Sequence, residues 1–159
     1  DVYYYPASVR GKQAATIIAE NFKNIYPQPN LVKAVPTTRL AEITKTNAPS
    51  VLMEIAYHDN PEDAAWIKSS LDAVAKNLVI SLTDYFDIPF LLPQPSRSGQ
   101  VDVDWGVLNI RARPELDAPI LVQAPDGAPL TVRNSTGDWY LVDYYGTVGY
   151  ARQDFITLI

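Results

Sequence analysis

The sequence predicts an α/β unit at residues 1–88, carrying part of a sheet, followed by a small all-β barrel at 101–159. Three observations carry this. An apolar run at 51–57 passes through His58-Asp59-Asn60-Pro61 into a helical pattern, which reads as strand, turn and helix. Residues 89–100, PFLLPQPSRSGQ, hold three prolines, two serines and a glycine, the composition of a semi-rigid linker. Beyond it the chain changes to short β-type runs separated by turn signals.

In order, Val2-Tyr3-Tyr4-Tyr5 closed by Pro6 reads as a strand. A helix is expected from Ser8 to about Ile25, with Ala14, Ile18, Phe22 and Ile25 on one face and Pro27 and Pro29 as its stop. Residues 30–35 read as extended, and Thr37 or Thr38 as the cap of a brief helix over 39–43. The run 51–57 is apolar on both alternating faces, which suits a central strand of a parallel sheet covered on both sides. Asn60 is a good N-cap, Pro61 fits the first helical position, and Glu62 and Asp63, with Asp59, suit the helix start. One long helix is expected from Pro61 to about Phe86, striped by Ala64, Ile67, Leu71, Val74, Leu78, Leu82 and Tyr85. In the tail, strands are expected at 107–111, 120–123, 130–134, 139–144 and 148–151, with turns at Pro125-Asp126-Gly127, Thr136-Gly137-Asp138 and Tyr145-Gly146.

Two or three strands with two amphipathic helices leave an apolar central strand poorly covered. The expectation is that further sheet lies outside this chain, in a second polypeptide. A start at Asp1 without methionine reads as a processed or engineered chain, or a piece of something longer.

Composition excludes several function classes. A net charge of −5 with no basic block argues against a nucleic-acid partner. No apolar run approaches the ~20 residues of a membrane-spanning helix. With no cysteine there is no disulfide scaffold, thiolate metal site or cysteine nucleophile, which fits an exported bacterial protein.

One residue breaks the apolar run, and it is Glu54. A carboxylate there needs a partner, such as Arg39, or chemical work. Acids at the carboxyl ends of strands are where α/β sheets build sites. His58 is the sole histidine, and beside a helix N-cap it reads as a local hydrogen-bonding group rather than a ligand. Tyr144, Tyr145 and Tyr150 divide evenly between stacking on a ligand and packing, while Trp105 and Trp139 read as core.

The stretch PSVLMEIAYHDNPEDAAWI resembles the C-terminal signature of the zinc-dependent N-acetylmuramoyl-L-alanine amidases of the type 3 family. Glu54, Ala56, Tyr57 and Asn60 match its positions, and VYYYP with the helix after it resembles the preceding strand and helix. The resemblance implies a bacterial cell-wall hydrolase that cleaves the amide between muramic acid and the first L-alanine of the stem peptide. Glu54 matches the family's catalytic glutamate, which assists a zinc-bound water. The family holds zinc with two histidines and a glutamate from the part preceding Asp1, so the ligands are expected outside this chain. GVLNIRARP, GDWYLV and GTVGYA resemble a bacterial SH3-type domain, which implies peptidoglycan binding.

The expected function is therefore that of a peptidoglycan amidase fragment, inactive alone and located at the cell wall or outside the cell. The alternative is a non-catalytic wall-binding protein on a truncated or degenerate amidase remnant. A third and weaker option is a structural protein of an envelope or spore coat.

Overall fold

The computed structural model describes all residues, Asp1–Ile159, and the chain divides into two units, Asp1–Asp87 and Ile88–Ile159. The first unit contains β1 (Val2–Tyr4), α1 (Val9–Phe22), β2 (Ala34–Pro36), α2 (Ala41–Thr44), β3 (Val51–Met53), α3 (Pro61–Ser69) and α4 (Leu71–Phe86). Its sheet runs β2-β1-β3, with β1 parallel to β2 and antiparallel to β3. Ser8 starts α1 by accepting Gly11 N–H on its hydroxyl at 3.0 Å. The buried face of α1 is Gly11, Ala15, Ile18, Ala19 and Phe22, while Ala14 and Ile25 are half-buried. This arc is wider than a single stripe because α1 packs against the strands and also against α4.

The expected central parallel strand at 51–57 is corrected. The central strand is β1, with Val2 and Tyr4 buried, whereas β3 lies at an edge, is antiparallel, and is half-buried throughout. Its two-faced apolarity has a local cause. Val51 and Met53 pack into the core with α1, and Leu52 faces the other side with Tyr3, its ladder partner. One further exchange joins Glu54 N–H to Asp1 C=O at 2.9 Å and Asp1 N to Glu54 C=O at 3.0 Å. The chain then leaves the sheet, and Tyr57 N–H donates instead to Asp63 Oδ2 at 3.0 Å.

The long helix is also corrected: it breaks at Ser70 (φ −120°, ψ 13°) into α3 and α4. The break resets the helical phase. Val74, Asn77 and Ser81 are buried, while Leu71 and Leu82 of the expected stripe are 62% and 50% exposed. Hydrogen bonds direct this docking. Asn77 Nδ2 donates to Asn21 C=O at 2.9 Å, and Asn21 Nδ2 donates to Ser81 Oγ at 3.2 Å and Asp84 Oδ2 at 2.8 Å. Trp66 of α3 packs edge-on against Phe22 and Tyr26, with ring centroids at 6.0 and 5.1 Å. The brief helix α2 starts at Ala41, later than expected. Its N-cap is Leu40, and Thr37 Oγ1 instead accepts Arg39 N–H at 3.2 Å.

The second unit contains β4 (Arg97–Val101), β5 (Val107–Arg111), β6 (Ile120–Pro125), β7 (Pro129–Thr136), β8 (Trp139–Tyr144), β9 (Thr147–Arg152) and β10 (Ile156–Leu158). They form one antiparallel sheet in the order β10-β4-β7-β8-β9-β5-β6, bent by irregularities at Ile110/Arg111 and Val132/Asn134. The sheet curls around Val101, Leu108, Ile110, Ala124, Leu130, Val132, Val142, Ala151 and Ile156. Residues 97–100, expected in the linker, are thus part of a strand. The β8–β9 hairpin turns on Tyr145 and Gly146, both at positive φ (47° and 85°), the pattern of a two-residue turn matched to strand twist. No helix is long and apolar enough to cross a membrane.

Candidate functional site

Glu54 follows β3 directly and is exposed. The alternation of the strand puts it on the face of Leu52 and Tyr3, opposite the face that Val2 and Tyr4 bury. Tyr3 Oη donates a long hydrogen bond to Glu54 Oε2 at 3.4 Å and a better one to Asp1 Oδ2 at 3.1 Å. The phenol therefore sits between two carboxylates. Its pKa is raised above the ordinary value, first by burial and then by the Glu54 charge, the hydrogen bond to it, and Tyr57. Arg39, the partner considered for Glu54, instead lines a separate shallow surface with Tyr3, Val35 and Pro36.

Glu54 stands on the rim of a cleft of about 420 Å³ walled by Phe22, Tyr26, Val32, Met53 and Tyr57. The wall is built by the helix start. Asn60 Oδ1 accepts Glu62 N–H at 2.9 Å and Asp63 N–H at 3.3 Å, as its N-cap position requires. Asp63 does more than charge the helix start. Besides Tyr57 N–H it accepts the Tyr26 hydroxyl on Oδ1 at 3.0 Å, so it ties the 55–60 connection to the end of α1. Burial, followed by this bond to Asp63, raises the Tyr26 pKa. Tyr3, Tyr26 and Asp63 escaped the sequence reading. Only the alternation of VYYY, which sets Tyr3 apart from Val2 and Tyr4, hinted at any of them.

The residues present do not fit a catalytic metal. His58 is exposed, and no three of the His, Cys, Asp and Glu side chains come together as a ligand group.

The family model described as N-acetylmuramoyl-L-alanine amidase matches residues 1–84. The chain belongs to that amidase family. A bacterial SH3 domain model matches residues 106–157, within the second unit. Among solved structures, NlpC2 from Trichomonas vaginalis is similar at 19% identity and a TM-score of 0.37, with 40% of this chain and 23% of that one covered. NlpC1 from Trichomonas vaginalis gives 20% identity and the same TM-score, with 40% and 22% covered. The chain thus spans less than a quarter of either protein. No curated protein matches it.

The SH3-type unit has its own cleft of about 360 Å³, lined by residues around Trp105, Leu116, Trp139 and Phe155. Trp139 is buried, as expected, but Trp105 is 88% exposed, which corrects its assignment to the core. It sits just before Gly106, a positive-φ turn residue ahead of β5, where no strand covers it. Of the three tyrosines, Tyr150 is buried and its pKa is raised by that burial. Tyr145 is exposed at the hairpin tip and meets Tyr144 edge-on at 4.7 Å.

Proposed function

We propose that this chain is the glutamate-bearing part of a peptidoglycan amidase working at the cell wall. Its reaction is hydrolysis of the amide between the lactyl group of N-acetylmuramic acid and L-alanine. The observation that carries this is Glu54: an exposed carboxylate at a strand's end, on the rim of a cleft, within the stretch matched by the amidase family.

In this reading Glu54 takes a proton from the attacking water as its oxygen bonds to the amide carbon. It returns the proton to the nitrogen as the C–N bond breaks, leaving a lactyl carboxylic acid and a free alanine amine. Tyr3 holds the carboxylate from the central strand. The zinc implied by the family has no ligand set among these residues, so its ligands belong to sheet outside them, in a second polypeptide or segment. Support for further sheet comes from Tyr3, Val35 and Leu52, which the covering helix α1 leaves half-exposed on the Glu54 face.

The test is Glu54→Gln in the complete, zinc-loaded enzyme, assayed on muramoyl-peptides. The amide keeps the shape and removes the basicity, so the rate is expected to fall about a hundredfold or more. Zinc content should be unchanged in Glu54→Gln and in His58→Ala. Near-normal hydrolysis by Glu54→Gln overturns the assignment, and loss of zinc from His58→Ala overturns the external-ligand reading.

The second reading is a wall-binding protein without catalysis, favoured by the SH3-type match and the lone exposed histidine. Co-purification of a second polypeptide with zinc supports the enzyme. Pelleting with sacculi, with no hydrolysis in any preparation that holds zinc, supports the binder.

A further inference from the structure

We propose that the cleft beside Glu54 is a bipolar site that holds the peptide released by the reaction. Glu54 and Asp1 face its new alanine ammonium, and Lys33 faces the carboxylate on its second residue. This rests on the amidase reading of Glu54 and adds which charges of the stem peptide the first unit selects.

The cleft of about 420 Å³ has residues 31–33 on one wall and 54–57 on the other, with Asp1 between them. Register puts the charged groups in one row. β1 pairs Val2 with Ala34 on one side and with Met53 on the other. One step further, Val2 N–H donates to Lys33 C=O at 2.8 Å and Glu54 N–H donates to Asp1 C=O at 2.9 Å. Lys33, Asp1 and Glu54 therefore lie side by side across the sheet, and alternation sets all three on the face of Tyr3. Two strand spacings place the Lys33 and Glu54 Cα atoms about 10 Å apart.

These charges are not consumed inside the protein. Lys33 is exposed, is the only cation lining the cleft and forms no ion pair. The two carboxylates share only the Tyr3 hydroxyl. A purely anionic ligand would meet two acids, and a purely cationic one would meet Lys33. The cleft suits a ligand carrying both signs at a matched spacing.

The released peptide is such a ligand. Its alanine amine is mostly an ammonium at neutral pH. Its second residue, a glutamate joined onward through its side chain, leaves an α-carboxylate about 7 Å away across two extended residues. The Glu54 and Lys33 side chains cover the remaining span. Both contacts are charge-assisted, and a lysine supplies a compact charge on a long stem. Leu31 and Tyr57, exposed on opposite walls, border the space left for the alanine methyl and the rest of the peptide. The walls stand without ligand, because Val32 is buried and Tyr57 N–H is held by Asp63 at 3.0 Å. Little ordering is therefore lost on binding.

The test uses the full chain, isotopically labelled, titrated with L-Ala-D-Glu-L-Lys joined through the D-Glu side-chain carboxyl. Comparison peptides have the D-Glu α-carboxyl amidated or the alanine amine acetylated. The expected result is a saturating shift of the Lys33 and Tyr57 amides with the free peptide. Amidation, acetylation and Lys33→Gln should each weaken binding about fivefold, and Lys33→Arg should restore it. Lys33→Gln should not weaken the amidated peptide further, since the partner of Lys33 is then already gone. Lys33 is exposed, so its variants remain folded. No binding, equal binding of free and amidated peptide, or equal losses of both on Lys33→Gln overturns the proposal. The complete, zinc-loaded enzyme separates this from the amidase reading. If hydrolysis needs Glu54 but the peptides bind without discrimination, the bipolar site fails and the amidase reading stands. If the peptides discriminate as expected but Glu54→Gln hydrolyses normally, the catalytic role fails and the binding site stands.

Discussion

Tyr3 and Glu54 report on each other across the edge of the sheet. Burial raises the Tyr3 pKa most and the Glu54 charge comes next, so Glu54→Gln should lower it only part of the way back towards about 10. Tyrosine ring-carbon NMR titration of this chain checks this without any assay of activity, and an unmoved Tyr3 means the two groups do not interact in solution. Asp143 shows the opposite sign. The hydrogen bond from Arg133 and then that from Gly146 N–H, at 2.9 Å, hold its carboxyl below the usual range. A carboxylate depressed in the folded state stabilises above its unfolded pKa of about 3.9, and that contribution is lost as pH falls through the lower folded value. The pair is exposed, so the effect is small. Asp143→Asn should leave the β8–β9 hairpin less protected from hydrogen exchange at pH 6, with the difference from wild type fading as pH falls through the lowered folded value.

Helix α4 shows what a hydrophobic stripe conceals. Its docked face uses Asn77 and Ser81, while Leu71, Val79, Leu82 and Phe86 remain exposed. The Ser81 hydroxyl, fully buried, donates to Asn77 C=O at 2.9 Å and accepts from Asn21. Ser81→Ala should therefore destabilise the first unit by about 1 kcal/mol. Leu82→Gln, on the stripe read from sequence, should change it by less than about 0.5 kcal/mol. Urea melts followed at the Trp66 indole N–H decide between the two faces. Sequence made the helix start at Asn60-Pro61 and most strands of the second unit legible, because caps and turns are written in neighbouring residues. The break at Ser70 carries no glycine or proline. The centrality of β1 depends on partners 30 to 50 positions away. For the candidate site the motif made Glu54 visible. Tyr3 comes to it only through the pairing of β1 with β3, and Asp63 was hidden behind a sufficient local role at the helix start.

The boundary between the two units decides what folds alone. A Pro/Ser linker ending at 100 implies that 101–159 is a complete module, yet β4 lies inside its sheet, between β10 and β7. Removing residues 88–100 takes away the ladder from Arg97 to Gln100 and strips β7 and β10 of a shared neighbour. It also uncovers the core at Gly99, where an added Cβ would come within 3.1 Å of both Ile156 Cγ2 and Leu130 Cδ1. The stretch before β4 is tied down too, since Asn134 Nδ2 donates to Leu92 C=O at 2.6 Å. An open β7 edge with exposed Leu130 and Ile156 invites pairing between copies. Fragment 88–159 should therefore melt cooperatively as a monomer. Fragment 101–159 should bind hydrophobic dye, melt broadly and associate at high concentration. Gly99→Val in the full chain should reproduce part of this loss by forcing β10 and β7 away from β4. Calorimetry and sedimentation of the two fragments side by side measure the difference, and equal melting of both would show that the module starts at Val101 and that β4 only leans on it.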